Sequence, residues 1–579
     1  MNEPAWVDCG RGVRLERGVR CAMSDGVELV SDHYYPSGFA SHPTLLMRQP
    51  YGREIASTVV YAHPIWFARH GYNVVIQDVR GRGDSQGDFY PFRNEGRDGA
   101  ETIAWLRARS ESNGLVGMYG FSYQGMTQLL AAAEQPEGLA CIAPGMTAHD
   151  LYHGWFYHQG ALRFASTLGW GLQLLKGDTR RLKLREASER LEHAWSHLAT
   201  QTSVLPFREH PAIHAKDDGK NDGKDLPRYV RDWFDHEEPG EYWAQLDLCS
   251  SVHRIDVPAL HVSGWYDMFL GGSIENFLAL SQHAGSERAR EHQYLIAGPW
   301  SHIPWGDRIG AADFGPEAVL DTDTILLRWF DHWLKDSGEF EPEPKIRHFV
   351  LGENRWRQAD AWPKRAKYPL YLHSEGRANS RKGDGLLSET APRTEEPCDI
   401  FVYDPEVPVL APGGAAAESG QFDQSRIELG NNVLVYTTEQ LVQPLRIFGI
   451  PRVALYCSSS SGHTDFTAKL VRVRVNGAAE FICMGIARSS WLFAESGYAA
   501  DKIQLWEFNL EPTSCSFDTG DRIRLEIASS AFPLYDRNPG TPVPSCRATS
   551  WDWRRSTQMV FHDAKRPAAL YLPRCEKSE

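Results

Sequence analysis

The sequence is poor in several features that would point to particular functions. No window approaches the ~18 uninterrupted apolar residues of a membrane-crossing helix, and the N-terminus "MNEPAWVDCGRGVRLERG" lacks a basic start followed by an apolar stretch. A cytoplasmic protein with no membrane partner is therefore expected. Basic residues are outnumbered: 61 Lys and Arg face 75 Asp and Glu, a formal net charge of −14. With no clustered basic run to offset that charge, a phosphate backbone would be repelled, which argues against nucleic acid as a partner.

Cysteine is sparse and unpatterned. The 10 cysteines run from Cys9 to Cys575 without a C-x-x-C pair, so free thiols in a reducing compartment are expected rather than a disulfide framework. His193 and His197 in "LEHAWSH" have the spacing of metal ligands on a helix, but the segment is polar and no third ligand is nearby. They read as a solvated helix face, and no metal is expected. Arg82-Gly83-Asp84 in "RGRGDSQG" reads as a turn rather than an adhesion signal.

At 579 residues the chain exceeds one hydrophobic core, and roughly two to four domains are expected. The 19 tryptophans supply many large, rigid, pocket-forming side chains. Along the first 146 residues strands alternate with helices: "VELVSDHYYP", "TLLMRQPY" and "YNVVIQDV" read as strands, and "RNEGRDGAETIAWLRAR" as a helix with acids in its first turns. This order implies a parallel sheet. From 147 to 248 the pattern turns to amphipathic, aromatic-rich helix with a charged loop, "HAKDDGKNDGKDLPR", and is read as an inserted cap. The α/β pattern returns over 249–345 with "VPALHVSG", "HQYLIAG" and the helix "TILLRWFDHWLK", ending in the linker-like "DSGEFEPEPK". Residues 346–579 show short alternating runs such as "PRVALYCSS" and "RIRLEIASS", a pattern for an all-β sandwich or jelly roll.

The chemistry centres on "VGMYGFSYQGMTQLL". Ser122 lies between Gly120 and Gly125, after an apolar strand and before a helix, which is the setting of a nucleophile raised on a tight turn. The second glycine comes three residues after the serine instead of two, so the motif by itself leaves a plain glycine-rich bend equally open. A catalytic serine needs an imidazole base and a carboxylate to hold it. Asp267 follows the strand in "PALHVSGWYDMF" and His302 follows the next in "YLIAGPWSH", both at strand ends and in the order Ser, Asp, His. The rival His261 lies inside its strand and reads as packed core.

With these segments in place, the sequence resembles the cocaine esterase group of serine hydrolases (CocE/NonD), kin to α-amino acid ester hydrolases and X-Pro dipeptidyl peptidases. The likeness is carried by "RQPYGR", "QDVRGRGDSQGDF", "GMYGFSYQG", "SGWYDMFLGG", "GPWSH" and "GDRIRLEIASSAFPLYDRNPGTP", which span nearly the whole chain. It implies an α/β hydrolase with an inserted helical cap and a C-terminal jelly roll, and a triad of Ser122, Asp267 and His302. It further implies an oxyanion hole from the Tyr123 backbone N–H and the Tyr51 hydroxyl, and an acyl pocket that includes Trp155, Trp170 and Phe269. No cofactor is implied.

Relatives acting on α-amino acid esters carry acids shortly after the triad aspartate, where this chain has Phe269 and Leu270. An ammonium entering such an apolar site would lose its hydration uncompensated. The expected partner is thus a small-molecule ester or amide of an uncharged, aromatic or bulky acyl group. X-Pro dipeptide cleavage, acyl transfer, and a carbohydrate-binding protein with an idle triad stand as alternatives, and assembly into a homo-oligomer stays open.

Overall fold

The structure is a computed structural model and describes residues 6–10, 12–38, 40–54, 58–214, 225–335, 344–415 and 418–575. Much of the charged loop expected at 214–228 and of the linker expected at 336–345 lies outside the described residues. The first sheet has eleven strands. They are β1 (Trp6–Asp8), β2 (Val13–Ala22), β3 (Glu28–Pro36), β4 (His42–Gln49), β5 (Asn73–Asp78), β6 (Ser112–Phe121), β7 (Leu139–Gly145), β8 (Ala259–Tyr266), β9 (Gln293–Ser301), β10 (Ile346–Val350) and β11 (Arg355–Ala359).

Their spatial order is β1-β2-β3-β5-β4-β6-β7-β8-β9-β10-β11. Every pairing from β5 to β10 is parallel, while the strands at both margins are antiparallel. The period of two splits neighbours between faces. Leu46, Val75 and Met118 face the helices α2 (Glu95–Arg107) and α3 (Tyr123–Ala133). Leu45, Val74 and Tyr119 pack instead with Phe67 of α1 (Pro64–Arg69) and with Phe330 and Leu334 of the helix Thr322–Lys335. Because both faces are covered, β4 and β5 are buried along nearly their whole length rather than alternating between buried and exposed residues.

The β10–β11 hairpin lies beyond the boundary expected at 345/346, yet it extends the first sheet: Leu295 of β9 pairs with Ile346, and Val350 with Arg355. Short apolar runs announce a strand but not its partner, so periodicity could not assign the hairpin to one sheet or the other.

Between β7 and β8 lies the helical cap, whose main helices are α4 (Phe164–Leu182), α5 (Arg185–Ser196) and α6 (Tyr229–Asp235). In α4, Leu168, Leu172 and Leu175 are fully buried at helical spacing, one stripe facing the core. The C-terminal part is all-β and almost wholly antiparallel, with Asp465–Val473 at the centre of the pairing of Ala479–Arg488 and Arg522–Ala528. Its core is continuous with the first sheet, since Trp265, Leu295 and Phe349 share a buried cluster with Phe466, Leu470 and Leu525. None of the ten cysteines forms a disulfide, and among the described residues no helix is long and apolar enough to cross a membrane.

One buried ion cluster ties the β domain to the cap. Arg488 donates to both oxygens of Asp465 at 3.0 and 2.9 Å and to both of Asp536 at 3.0 and 2.9 Å. Asp536 in turn accepts the Leu162 N–H at 2.9 Å, just before α4. Asn538 also donates to Asp465 at 2.8 Å, but these neutral donors supply no charge, and both buried carboxylates are compensated by the one Arg488 guanidinium. Arg488→Met, which keeps volume but removes charge, is expected to destabilise the protein by about 3–5 kcal/mol in equilibrium unfolding. An unaltered unfolding midpoint would refute this account of the cluster.

Candidate active site

The serine turn is set by backbone strain and close approach. Ser122 links β6 to α3 with φ 62° and ψ −126°, a left-handed conformation that a side chain adopts only where the surroundings enforce it. Its N–H donates to the Gly145 and Met146 carbonyls at 2.9 and 3.1 Å, which fixes the turn to the end of β7. A Cβ on Gly120 would come within 2.5 Å of the Gln124 side chain, and one on Gly125 within 2.8 Å of the Gly145 carbonyl oxygen and of Thr147. The late second glycine thus marks where α3 presses on β7. The intervening position is held by Gln124, buried, with Oε1 accepting the Phe121 N–H at 3.3 Å.

Asp267 and His302 come together through strand register. Tyr266, the last residue of β8, pairs with Ser301, the last of β9, after an irregularity between Gly264 and Tyr266. The residues that follow therefore emerge side by side, and Nδ1 of His302 is 2.9 Å from Oδ1 of Asp267. The Asp267 carboxylate is fully enclosed, whereas the imidazole is 28% exposed. Committing Nδ1 to the carboxylate leaves Nε2 on the opposite side of the ring. Phe121 and Phe269 flank that ring, each with its centroid 5.3 Å away. His261 is buried within β8 and bonded to Gln293, and burial pushes its pKa down to about 4. It is a neutral core residue, as the sequence suggested.

Tyr51 stands two residues past β4, its N–H donating to Oε1 of Gln49 at 3.0 Å. Its hydroxyl accepts the Trp170 indole N–H at 3.1 Å. Burial pushes its pKa up to about 12, with Trp170 and Ser122 moderating the rise. Tyr123 is the first residue of α3, so its N–H is one of the donors that a helix start leaves without an intrahelical acceptor. The Tyr123 ring is locked behind the site, its hydroxyl donating to Glu95 at 2.7 Å and accepting the Phe92 N–H at 3.1 Å.

Ser122, His302 and Tyr51 all line one cavity of about 610 Å³, together with the expected Trp155, Trp170 and Phe269. Trp155 packs on Phe269 with centroids 4.4 Å apart and on Trp170 at 5.2 Å. No Asp, Glu, Lys or Arg is among the described lining residues. The sequence reading missed several walls: Ser166 and Gln173 of α4, Trp195 and Leu198 at the end of α5 and just beyond, and Leu534 and Ala415 from the β domain. Ser166 and Gln173 sit four before and three after Trp170, one face of a helix, so extending from that tryptophan would have found them. Leu534 lies in "AFPLYDRNPG", noted for its resemblance without a role.

His193 and His197 are exposed with ring centroids 4.3 Å apart. The described residues hold one group of metal-ligand type, Asp150, Asp247 and Cys249, with ligand atoms within 4.8 Å of one another. Its carboxylates already accept backbone N–H groups of His153, Cys249 and Ser250. Neither group lines the cavity.

Residues 25–304 match the X-Pro dipeptidyl-peptidase (S15 family) domain, and residues 338–571 match the X-Pro dipeptidyl-peptidase C-terminal non-catalytic domain. The cocaine esterase of Rhodococcus sp. (strain MB1 Bresler) is 33% identical, with 96% of this chain and 97% of that protein aligned. Among solved structures, an α-amino acid ester hydrolase superposes with a TM-score of 0.78 at 25% identity, covering 98% of both chains. An aminopeptidase from a marine sediment Thaumarchaeota archaeon does so with a TM-score of 0.76 at 25% identity, covering 96% of both. With both domains of the family in order and a relative aligned along nearly its full length, the chain belongs to the cocaine esterase-like serine hydrolases of the X-Pro dipeptidyl-peptidase S15 family.

Proposed function

We propose that the protein hydrolyses esters of uncharged, aromatic or bulky acyl groups through an acyl-serine at Ser122. The observation that carries this reading is the convergence of Ser122, on its strained turn, and His302, backed by Asp267, on one aromatic cavity whose described walls carry no Asp, Glu, Lys or Arg. His302 Nε2 takes the Ser122 proton as Oγ attacks the acyl carbon, then returns it to the leaving alcohol. Water repeats the sequence and frees the acid. Asp267 holds the imidazole with Nδ1 protonated and stabilises its charged form. The Tyr123 N–H and the Tyr51 hydroxyl receive the charge that develops on the carbonyl oxygen.

Volume and lining support the choice of acyl group. A cavity of about 610 Å³ is within the usual range for small-molecule sites, and Trp155, Trp170 and Phe269 line it with apolar aromatic surface suited to an aromatic acid. X-Pro dipeptide release uses the same catalytic parts but brings an N-terminal ammonium into the site. The described walls carry no carboxylate to receive one, so the ester reading is favoured.

Ser122→Ala should fold as the parent does, judged by thermal melting, while losing both turnover of aryl esters and labelling by a fluorophosphonate probe. Retained labelling would disqualify Ser122 and reopen the idle-triad alternative. A panel pairing benzoyl-type esters with X-Pro anilides should favour the esters by at least about tenfold in kcat/KM, a lower bound on the cost of leaving one ammonium unpaired in an apolar site.

Tyr51→Phe is expected to cut kcat by about 100- to 1000-fold with little change in KM, the usual cost of one oxyanion donor. Because burial lifts the Tyr51 pKa to about 12 from an ordinary 10.0, the donating neutral form persists through pH 10. The pH profile of kcat in the parent should accordingly show no tyrosine-dependent fall up to that pH, and a fall present in the parent but missing from Tyr51→Phe would contradict the assignment.

A further inference from the structure

Tyr51 reaches the site from the sheet, but its hydroxyl is held from the cap. A phenol has one proton to donate and can also accept, whereas an indole N–H only donates. The Trp170 N–H, 3.1 Å from the Tyr51 oxygen, therefore occupies an acceptor site on that oxygen and repels the phenolic proton from its own direction. The Ser122 hydroxyl also interacts with the Tyr51 oxygen and lines the same cavity. Left without the indole, the C–O–H torsion of Tyr51 would be free to aim the proton elsewhere.

Trp170 is itself firmly seated. Its ring stacks on Trp233 of α6 with centroids 5.1 Å apart and planes 4° from parallel, and packs on Trp155 at 5.2 Å. The start of α4 is tied to the β domain: the Phe164 and Ala165 N–H groups, helix-start donors without intrahelical acceptors, donate to the Leu534 and Pro533 carbonyls, each at 3.0 Å. The position of the indole thus depends on contacts made well outside the catalytic centre.

We propose that Trp170 is a positioning residue that aims the Tyr51 hydroxyl at the oxyanion site, so that the oxyanion hole is complete only while the cap helix is docked. This rests on the reading of Tyr51 as an oxyanion donor. Trp170 has a second role as a cavity wall, and the two roles separate experimentally because only the first acts through the Tyr51 oxygen.

The experiment is a double-mutant cycle on the full chain with one aryl ester, using Trp170→Phe, Tyr51→Phe and the double variant. Trp170→Phe keeps an aromatic wall and removes the N–H. It should lower kcat about tenfold in the parent, the scale of one hydrogen bond, but less than about twofold on top of Tyr51→Phe, with similar KM changes in both backgrounds. The inhibition constant of an aryl boronate, whose tetrahedral adduct mimics the charged intermediate, should weaken in parallel with kcat/KM in the single variant. Equal fold-losses in both backgrounds would mean that Trp170 acts by packing alone and would overturn the inference while leaving Tyr51 its role. An undiminished kcat in Tyr51→Phe would overturn both. Should Trp170→Phe fail to fold, β-benzothienylalanine at position 170 preserves ring size and lacks the N–H. Full kcat in that variant would equally refute the proposal.

Discussion

The site depends on one backbone reversal. Between β6 and α3 the chain must leave a buried parallel strand, turn through a left-handed residue and start a helix within a single position, Ser122. Such a conformation costs of the order of 1–3 kcal/mol and persists only because its neighbours forbid relaxation. Gly120 and Gly125 leave no room for side chains against Gln124 and the end of β7, and the Ser122 N–H is held by the carbonyls of Gly145 and Met146. The same turn sets Ser122 at the start of α3, directly before Tyr123, the first residue of that helix.

Around this reversal the protein assembles groups from distant parts of the chain. Strand register delivers Asp267 and His302 as adjacent residues just past β8 and β9. β4 delivers Tyr51, and the cap supplies Trp155 and Trp170. The β domain is more than a cover: Leu534 forms a wall of the cavity, and the carbonyls of Pro533 and Leu534 receive the first N–H groups of α4. The Arg488 cluster with Asp465 and Asp536 anchors that same loop. Enclosure by aromatic rings lowers the local dielectric, which strengthens the few oriented hydrogen bonds that remain.

The absence of charge from the described cavity walls is the counterpart of Phe269 and Leu270. An acid at either position could compensate a substrate ammonium; the phenyl ring of Phe269 instead packs against Trp155 and the His302 imidazole, and Leu270 is buried. The character of this wall can therefore change through a few residues after Asp267 while the strands and their register stay the same, consistent with the breadth of chemistry that one scaffold supports.

The sequence by itself determined the local features. Short runs rich in apolar residues made β4, β5, β6, β8 and β9 recognisable as strands, the flanking glycines singled out Ser122, and the acid and imidazole just past consecutive strands named Asp267 and His302, because strand ends in open α/β sheets are where ligand-binding groups gather. The resemblance added Tyr51, Tyr123, Trp155, Trp170 and Phe269 as candidates. Only the tertiary structure decided the long-range pairings. It placed Ile346–Val350 in the first sheet, brought Leu534 and Ala415 into the cavity wall, and set the Trp170 indole against the Tyr51 hydroxyl. Periodicity reports which face of an element is buried, but not what buries it: that is fixed by packing between segments hundreds of residues apart, on which a local pattern is silent.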